Sequence, residues 1–213
     1  MHNDIVATIS IGGDKMSLKK YFNKNYAVLI LICINIIVFI ALNAFPDLRD
    51  VFLLNAEPKI ALEKPWTLIT VFFSHELLIH ILLNMFLVLV FGTELYKETN
   101  AKVVYIAYIL CGFIGSLSVL VYASLIGYNG GLIAGASAAS FGIVATYVML
   151  QPNAIILKAK SKYWLIALFV VNAILTIQNP QVSVGGPAHA IGILVGLLIG
   201  WLLKKKLSSK NNQ

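Results

Sequence analysis

The chain has 213 residues, 59% of them apolar and 12% charged, with a mean hydropathy of +0.86. Those values exclude an ordinary soluble globular domain and indicate a polytopic, all-α membrane protein. The formal net charge is +7, but the basic residues are placed as membrane topology demands, so the excess calls for no nucleic-acid partner.

Crossing about 30 Å of hydrocarbon takes about 20 apolar residues in a helix, and six stretches qualify. Residues 1–25 form a polar tail with no cleavable signal peptide and little arginine, which argues against a mitochondrial transit sequence. The first span is Tyr26–Ala44. A long connection, about residues 45–77, mixes Phe52, Leu53, Leu54 and Trp66 with charges and prolines, a composition that suits the lipid interface. Leu78–Leu95, Val103–Leu125, Ile133–Leu150, Tyr163–Ile177 and Pro187–Leu203 are the remaining spans, and residues 204–213 are a short basic tail.

Lysine placement sets the orientation. Lys15, Lys19, Lys20 and Lys24 precede the first span. Lys97 and Lys102 follow the second, Lys158, Lys160 and Lys162 follow the fourth, and Lys204, Lys205, Lys206 and Lys210 follow the last. Only Arg49, Lys59 and Lys64 fall on the other side, among acidic residues. Both termini are therefore expected in the cytoplasm, with the cell (plasma or inner) membrane as location. Cys33 and Cys111 lie inside spans and read as small core residues, not a disulfide.

The loops before the fourth and sixth spans are short, uncharged and glycine-rich, and each delivers one polar residue at the outer face. Ser137 stands in GGLIAGASAASFG, among Gly135, Ala136, Ala138, Ala139 and Gly142; His189 stands in PAHAIGILVGLLIGW. Small residues let membrane helices approach closely, and His189 shares a stripe with Gly192, Gly196 and Gly200. The histidine thus faces the neighbouring helix. Phe141, one turn beyond Ser137, is placed to pack under its ring. Neither span contains Asp or Glu, which leaves a Ser–His dyad in which packing orients the imidazole.

His75-Glu-Leu-Leu-Ile-His80 imitates a zinc-protease signature but fails it. The histidines are five apart, about 140° around a helix, and no Cys or carboxylate completes a closed metal site. His80 and Asn84 are four apart and share a face, which suits charge developing on an oxygen. Singly, each of these residues reads as structural: Asn as interhelical glue, His75 as an interfacial residue. Four polar groups (His80, Asn84, Ser137, His189) in the outer halves of three spans tip the reading toward chemistry.

With those residues in hand, the chain resembles the rhomboid family of intramembrane serine proteases, from the first span to the sixth. PWTLITVFFSHELLIHILLNM, GASA and AHAIGILVG carry the likeness. The resemblance implies a six-transmembrane-helix rhomboid-like bundle with Ser137 as nucleophile and His189 as base. It further implies His80 and Asn84 as the oxyanion-stabilising pair, with His75 as a further histidine opening the second helix and Gly135 and Phe141 in support. No cofactor is implied, and the partners would be transmembrane protein substrates and the bilayer. Two positions depart from the family pattern: Ala138 where glycine usually follows the serine, and Thr67 where arginine usually follows the tryptophan. The competing readings are a catalytically inactive, client-binding relative, which retention of both Ser137 and His189 disfavours, and a small transporter or channel. A transporter would place polar residues in both membrane halves and carry inverted repeats, neither of which is evident.

Overall fold

A computed structural model describes residues 8–11, 14–128 and 130–211. An antiparallel hairpin of β1 (Thr8–Ile11) and β2 (Asp14–Ser17) leads into α1 (Leu18–Ala44). The connection that follows folds into α2 (Arg49–Phe52), α3 (Pro58–Glu63) and α4 (Thr67–Thr70), with single 3-10 turns at Pro46–Leu48 and Val71–Phe73. Next come α5 (Leu78–Glu98), α6 (Ala101–Leu125), α7 (Ser137–Leu150), the hairpin of β3 (Ile155–Ile156) and β4 (Ala159–Lys160), α8 (Ser161–Gln178) and α9 (Gly186–Asn211). Only Thr99 and Asn100 separate α5 from α6, which makes them antiparallel neighbours. The Asn100 side chain accepts the Val103 N–H at 3.2 Å and caps α6.

Three boundaries depart from the sequence expectation. The helix carrying the first span starts at Leu18, inside the polar tail. The last helix runs on through Lys204, Lys205 and Lys206, because lysine is a good helix former that the apolar pattern does not count. The fourth span is the consequential case. It was expected over Ile133–Leu150, but α7 begins at Ser137 and has 14 residues, about 21 Å of helix. Five helices among the described residues are long and apolar enough to cross a membrane, and α7 is a shorter sixth apolar helix. Among the described residues it is also the helix most enclosed by others: Ala138, Ala139, Ser140 and every residue from Gly142 to Val148 are buried.

Non-helical backbone at membrane depth is stable only where protein buries it or water reaches it. The extended residues before α7 meet that condition by pairing with the long connection. Leu54 and Ile133 exchange both backbone hydrogen bonds (3.0 and 2.8 Å), and Gly135 N–H donates to Val71 O at 3.1 Å. The connection itself is pinned at three successive carbonyls: Lys64 Nζ donates to Asp50 O (2.9 Å), Trp66 Nε1 to Val51 O (2.8 Å) and Thr70 Oγ1 to Phe52 O (2.7 Å). Tyr108 of α6, fully buried, donates to Phe72 O at 2.7 Å and bonds with Asn35 of α1, so both helices hold the end of the connection.

The centre of the bundle is the contact between α7 and α9. Gly192, Gly196 and Gly200 recur every four residues and lie against the carbonyls of Ala138, Gly142 and Thr146 in turn. A Cβ at any of these glycines would overlap backbone, which has no rotamer by which to yield. Outward, Ile37 and Ile40 of α1, Leu82 and Leu83 of α5, and Val171 and Ile174 of α8 are exposed. Such a belt of large apolar side chains belongs in hydrocarbon. Cys111 is buried as expected, whereas Cys33 is exposed on the outer face of α1; a span position alone does not say which face looks at lipid.

Replacing Gly196 by alanine is therefore expected to destabilise the bundle by about 1–3 kcal/mol. Gly131→Ala, where a Cβ would meet nothing within 4 Å, should leave it unchanged. Thermal unfolding in detergent reads the difference, and equal melting temperatures would refute the close-packing account.

Candidate active site

The loop-side ends of α5, α7 and α9 and the facing parts of α6 and α8 enclose a cavity of about 590 Å³. Ser137, His80, His189 and Asn172 all line it, with Phe141 and Gly135. Ser137 is the first residue of α7 and His189 the fourth of α9. The glycine contact holds those helix starts together, and Ser137 Oγ lies 2.5 Å from His189 Nε2. The Phe141 ring is 4.9 Å from the imidazole, centroid to centroid, tilted by 44°.

Sequence reasoning missed one residue here. His189 Nδ1 lies 2.6 Å from Asn172 Oδ1 on α8, so packing on Phe141 is not the ring's only restraint. The signal was present: Asn172 is a lone amide within the apolar fifth span, and such residues in a membrane helix face a partner.

The second group is layered. His80 forms part of the cavity wall and its ring rests on Gly135, where a Cβ would fall 2.6 Å from Cε1. Gly135 also has φ +146°, so both space and backbone require glycine at that position. Asn84 shares the helical face of His80 but stands behind the cavity, 3% exposed. Its amide nitrogen is 3.0 Å from His80 O, to which it donates, and 3.3 Å from His75 Nε2. The Ala136 N–H also donates to His75 Nε2, at 3.3 Å. Two donors on one ring nitrogen place the His75 proton on Nδ1. Burial, and secondarily the neighbouring His80, push the His75 pKa down to about 3. Among the described residues no three His, Cys, Asp or Glu side chains gather as a metal site.

A family model described as Rhomboid domain matches residues 62–206. The chain belongs to the rhomboid family. It is 31% identical over 140 residues to RHOMBOID-like protein 6, mitochondrial, from Arabidopsis thaliana. That alignment takes in 65% of this chain and 43% of the relative, so the chain spans less than half the length of the relative it matches.

The structure accounts for both departures from the rhomboid pattern. The Ala138 methyl points at Gly115 of α6, where any Cβ would come within 2.5 Å of it. The extra methyl at 138 is thus housed by the missing one at 115. Thr67 is buried and donates to Lys64 O at 2.7 Å. In place of an arginine at that position, the Lys64, Trp66 and Thr70 bonds to the carbonyls of α2 anchor the connection.

Gly115→Ala is expected to cost about 1–3 kcal/mol through overpacking, and Ala138→Gly in the same chain to recover most of it. A double-mutant cycle of unfolding free energies in detergent measures this, and additive effects would break the pairing. A second prediction concerns acid. Between pH 6.5 and about 3 the unfolded chain binds a proton at residue 75 that the folded chain refuses. His75 therefore contributes stability that is whole above pH 6.5 and falls by up to about 1.4 kcal/mol per pH unit below it. Melting temperatures should drop as the pH is lowered from 6.5 toward 3, and less steeply in His75→Gln.

Proposed function

We propose that this rhomboid is an intramembrane serine endopeptidase that cleaves membrane-spanning proteins near the membrane interface. The observation that carries the reading is the 2.5 Å contact of Ser137 Oγ with His189 Nε2 in a cavity lined by the helices and by the loops before α7 and α9. A serine hydroxyl within hydrogen-bond reach of an imidazole is an activated nucleophile. Ser137 Oγ attacks the scissile carbonyl while its proton passes to His189 Nε2. The imidazolium then protonates the leaving amine, and the acyl-enzyme forms. Water entering from the loop side releases the acyl group, with His189 again taking a proton and returning it to Ser137.

The tetrahedral oxyanion finds its donors at Ser137 and His80, both of which line the cavity. The first N–H groups of a helix have no intrahelical acceptor, so the α7 start offers the Ser137 amide beside the nucleophile, and the helix dipole favours negative charge there. His80, in the same wall, donates from its ring. Asn84 stands behind the cavity with its amide on His80 O and beside His75 Nε2, so it serves the oxyanion site by holding those two histidines in place. Losing one such donor typically costs about 10²–10³ in rate. A helical substrate unwinds locally before reaction, because the backbone carbonyls of an intact helix are engaged in its own hydrogen bonds and shielded by side chains from attack. The lysine-bearing ends of α5 and α9 and the β3–β4 connection lie at the opposite end of the bundle. This arrangement supports cytoplasmic termini, with the site on the outer side of the cell membrane.

A fluorophosphonate probe tests the reading on detergent-solubilised protein. Labelling is expected in the wild type and absent from Ser137→Ala and His189→Ala. Labelling that survives Ser137→Ala, or a wild type left unlabelled under conditions that label an active relative, would sink it.

A further inference from the structure

α8 is the most outward-looking of the long helices, and among its residues only Ser161 and Asn172 are buried. Ser161 sits at the helix start, where it donates to Gln151 O. Asn172 is different: an amide in the middle of an apolar helix, turned inward with 9% of its surface exposed. Hydrocarbon makes such a group costly unless every polar atom is partnered. Both of its polar atoms are. Nδ2 donates to Gly186 O at 3.0 Å and Oδ1 lies 2.6 Å from His189 Nδ1.

These two contacts determine each other. A carbonyl such as Gly186 O only accepts, so it must meet the NH₂ end of the amide, and Oδ1 is left facing the ring. Oδ1 also only accepts, so Nδ1 must carry the imidazole proton. A neutral imidazole has one N–H, and its Nε2 is then a bare lone pair directed at Ser137 Oγ. Gly186 is the first residue of α9, one turn before His189. Asn172 thus fixes the helix start and the ring from one side chain.

We propose that Asn172 is a positioning residue that locks His189 in the Nδ1–H tautomer, so that Nε2 stands ready to take the Ser137 proton. The catalytic importance of this lock rests on the protease reading above, whereas the tautomer itself does not. The same bond persists when His189 becomes the imidazolium, with the amide dipole facing the new positive charge. A neutral amide here does part of what a carboxylate does in a three-membered triad, without placing a fixed charge at membrane depth.

The test uses the full chain with ¹⁵N-labelled histidine in detergent micelles, His189 being assigned by the signals lost in His189→Ala. The wild type is expected to show Nδ1 protonated and Nε2 bare. In Asn172→Leu an Nε2–H signal should appear, and the rate of fluorophosphonate acylation should fall about 10–100-fold, as for other outer-shell partners of functional histidines. Asn172→Asp, which keeps an acceptor at Nδ1, should retain the wild-type tautomer and restore most of the rate. A wild type protonated at Nε2 overturns the proposal with no variant required, as does an Asn172→Leu protein that keeps the wild-type rate and tautomer. An unreactive wild type with Nδ1–H would remove the protease reading and leave the tautomer assignment standing. A reactive wild type with Nε2–H would do the reverse.

Discussion

Everything in the site depends on how closely two backbones can approach. α7 and α9 touch through Gly192, Gly196 and Gly200 against the carbonyls of Ala138, Gly142 and Thr146, a separation no larger residue permits. Membrane helices have little hydrophobic drive to associate, because lipid is as apolar as they are. Fine packing and hydrogen bonds therefore carry the association, and Thr146 Oγ1 contributes one by donating to Gly196 O across the seam at 3.0 Å. The Ser137–His189 distance is the end point of that seam. Their side chains meet because the helices below them are in contact at three consecutive turns.

The shortness of α7 is the second determinant. A helix that began at Ile133 would carry Ser137 into its second turn, with its N–H engaged in the helix. Starting at Ser137 instead leaves that N–H without an intrahelical acceptor and puts the hydroxyl at the cavity wall. The missing turn is replaced by extended chain, and Leu54 and Val71 supply the hydrogen bonds it lacks. The long connection between α1 and α5 therefore has a structural duty at the site: it makes an early break in a membrane helix tolerable. Its own rigidity comes from Tyr108, Asn35 and the donors that meet the carbonyls of α2.

Much of this was legible in the sequence, and for definable reasons. Length and apolarity locate membrane spans because hydrocarbon thickness is fixed, and glycine spacing reveals the α7–α9 seam because 3.6 residues make a turn. His189 and Ser137 announced themselves as polar residues in apolar runs. What escaped was whatever depends on which side of a helix a neighbour occupies. The start of α7 was misplaced because the stretch from Ile133 to Ala136 is as apolar as the helix after it, and only pairing with Leu54 and Val71 makes it extended. Asn172 went unread because its partner is 17 residues away on another helix. Asn84 shares a face with His80, yet the cavity touches only His80 of the two; helical phase gives direction and not depth. The family assignment covers residues 62–206 and thus both seam helices through their glycine contacts.

The packing of Ala138 on Gly115 ties two positions together that lie on different helices. Scored alone, alanine after the serine is a deviation, and glycine at 115 is an ordinary small residue in α6. In the folded chain they share one volume, so the two positions are not free to drift independently. A side chain at 115 while the 138 methyl is present overpacks the α6–α7 contact, at the same order of about 1–3 kcal/mol as other small-to-large core changes. Removing the 138 methyl opens that space again, so what either position tolerates is set by the residue at the other.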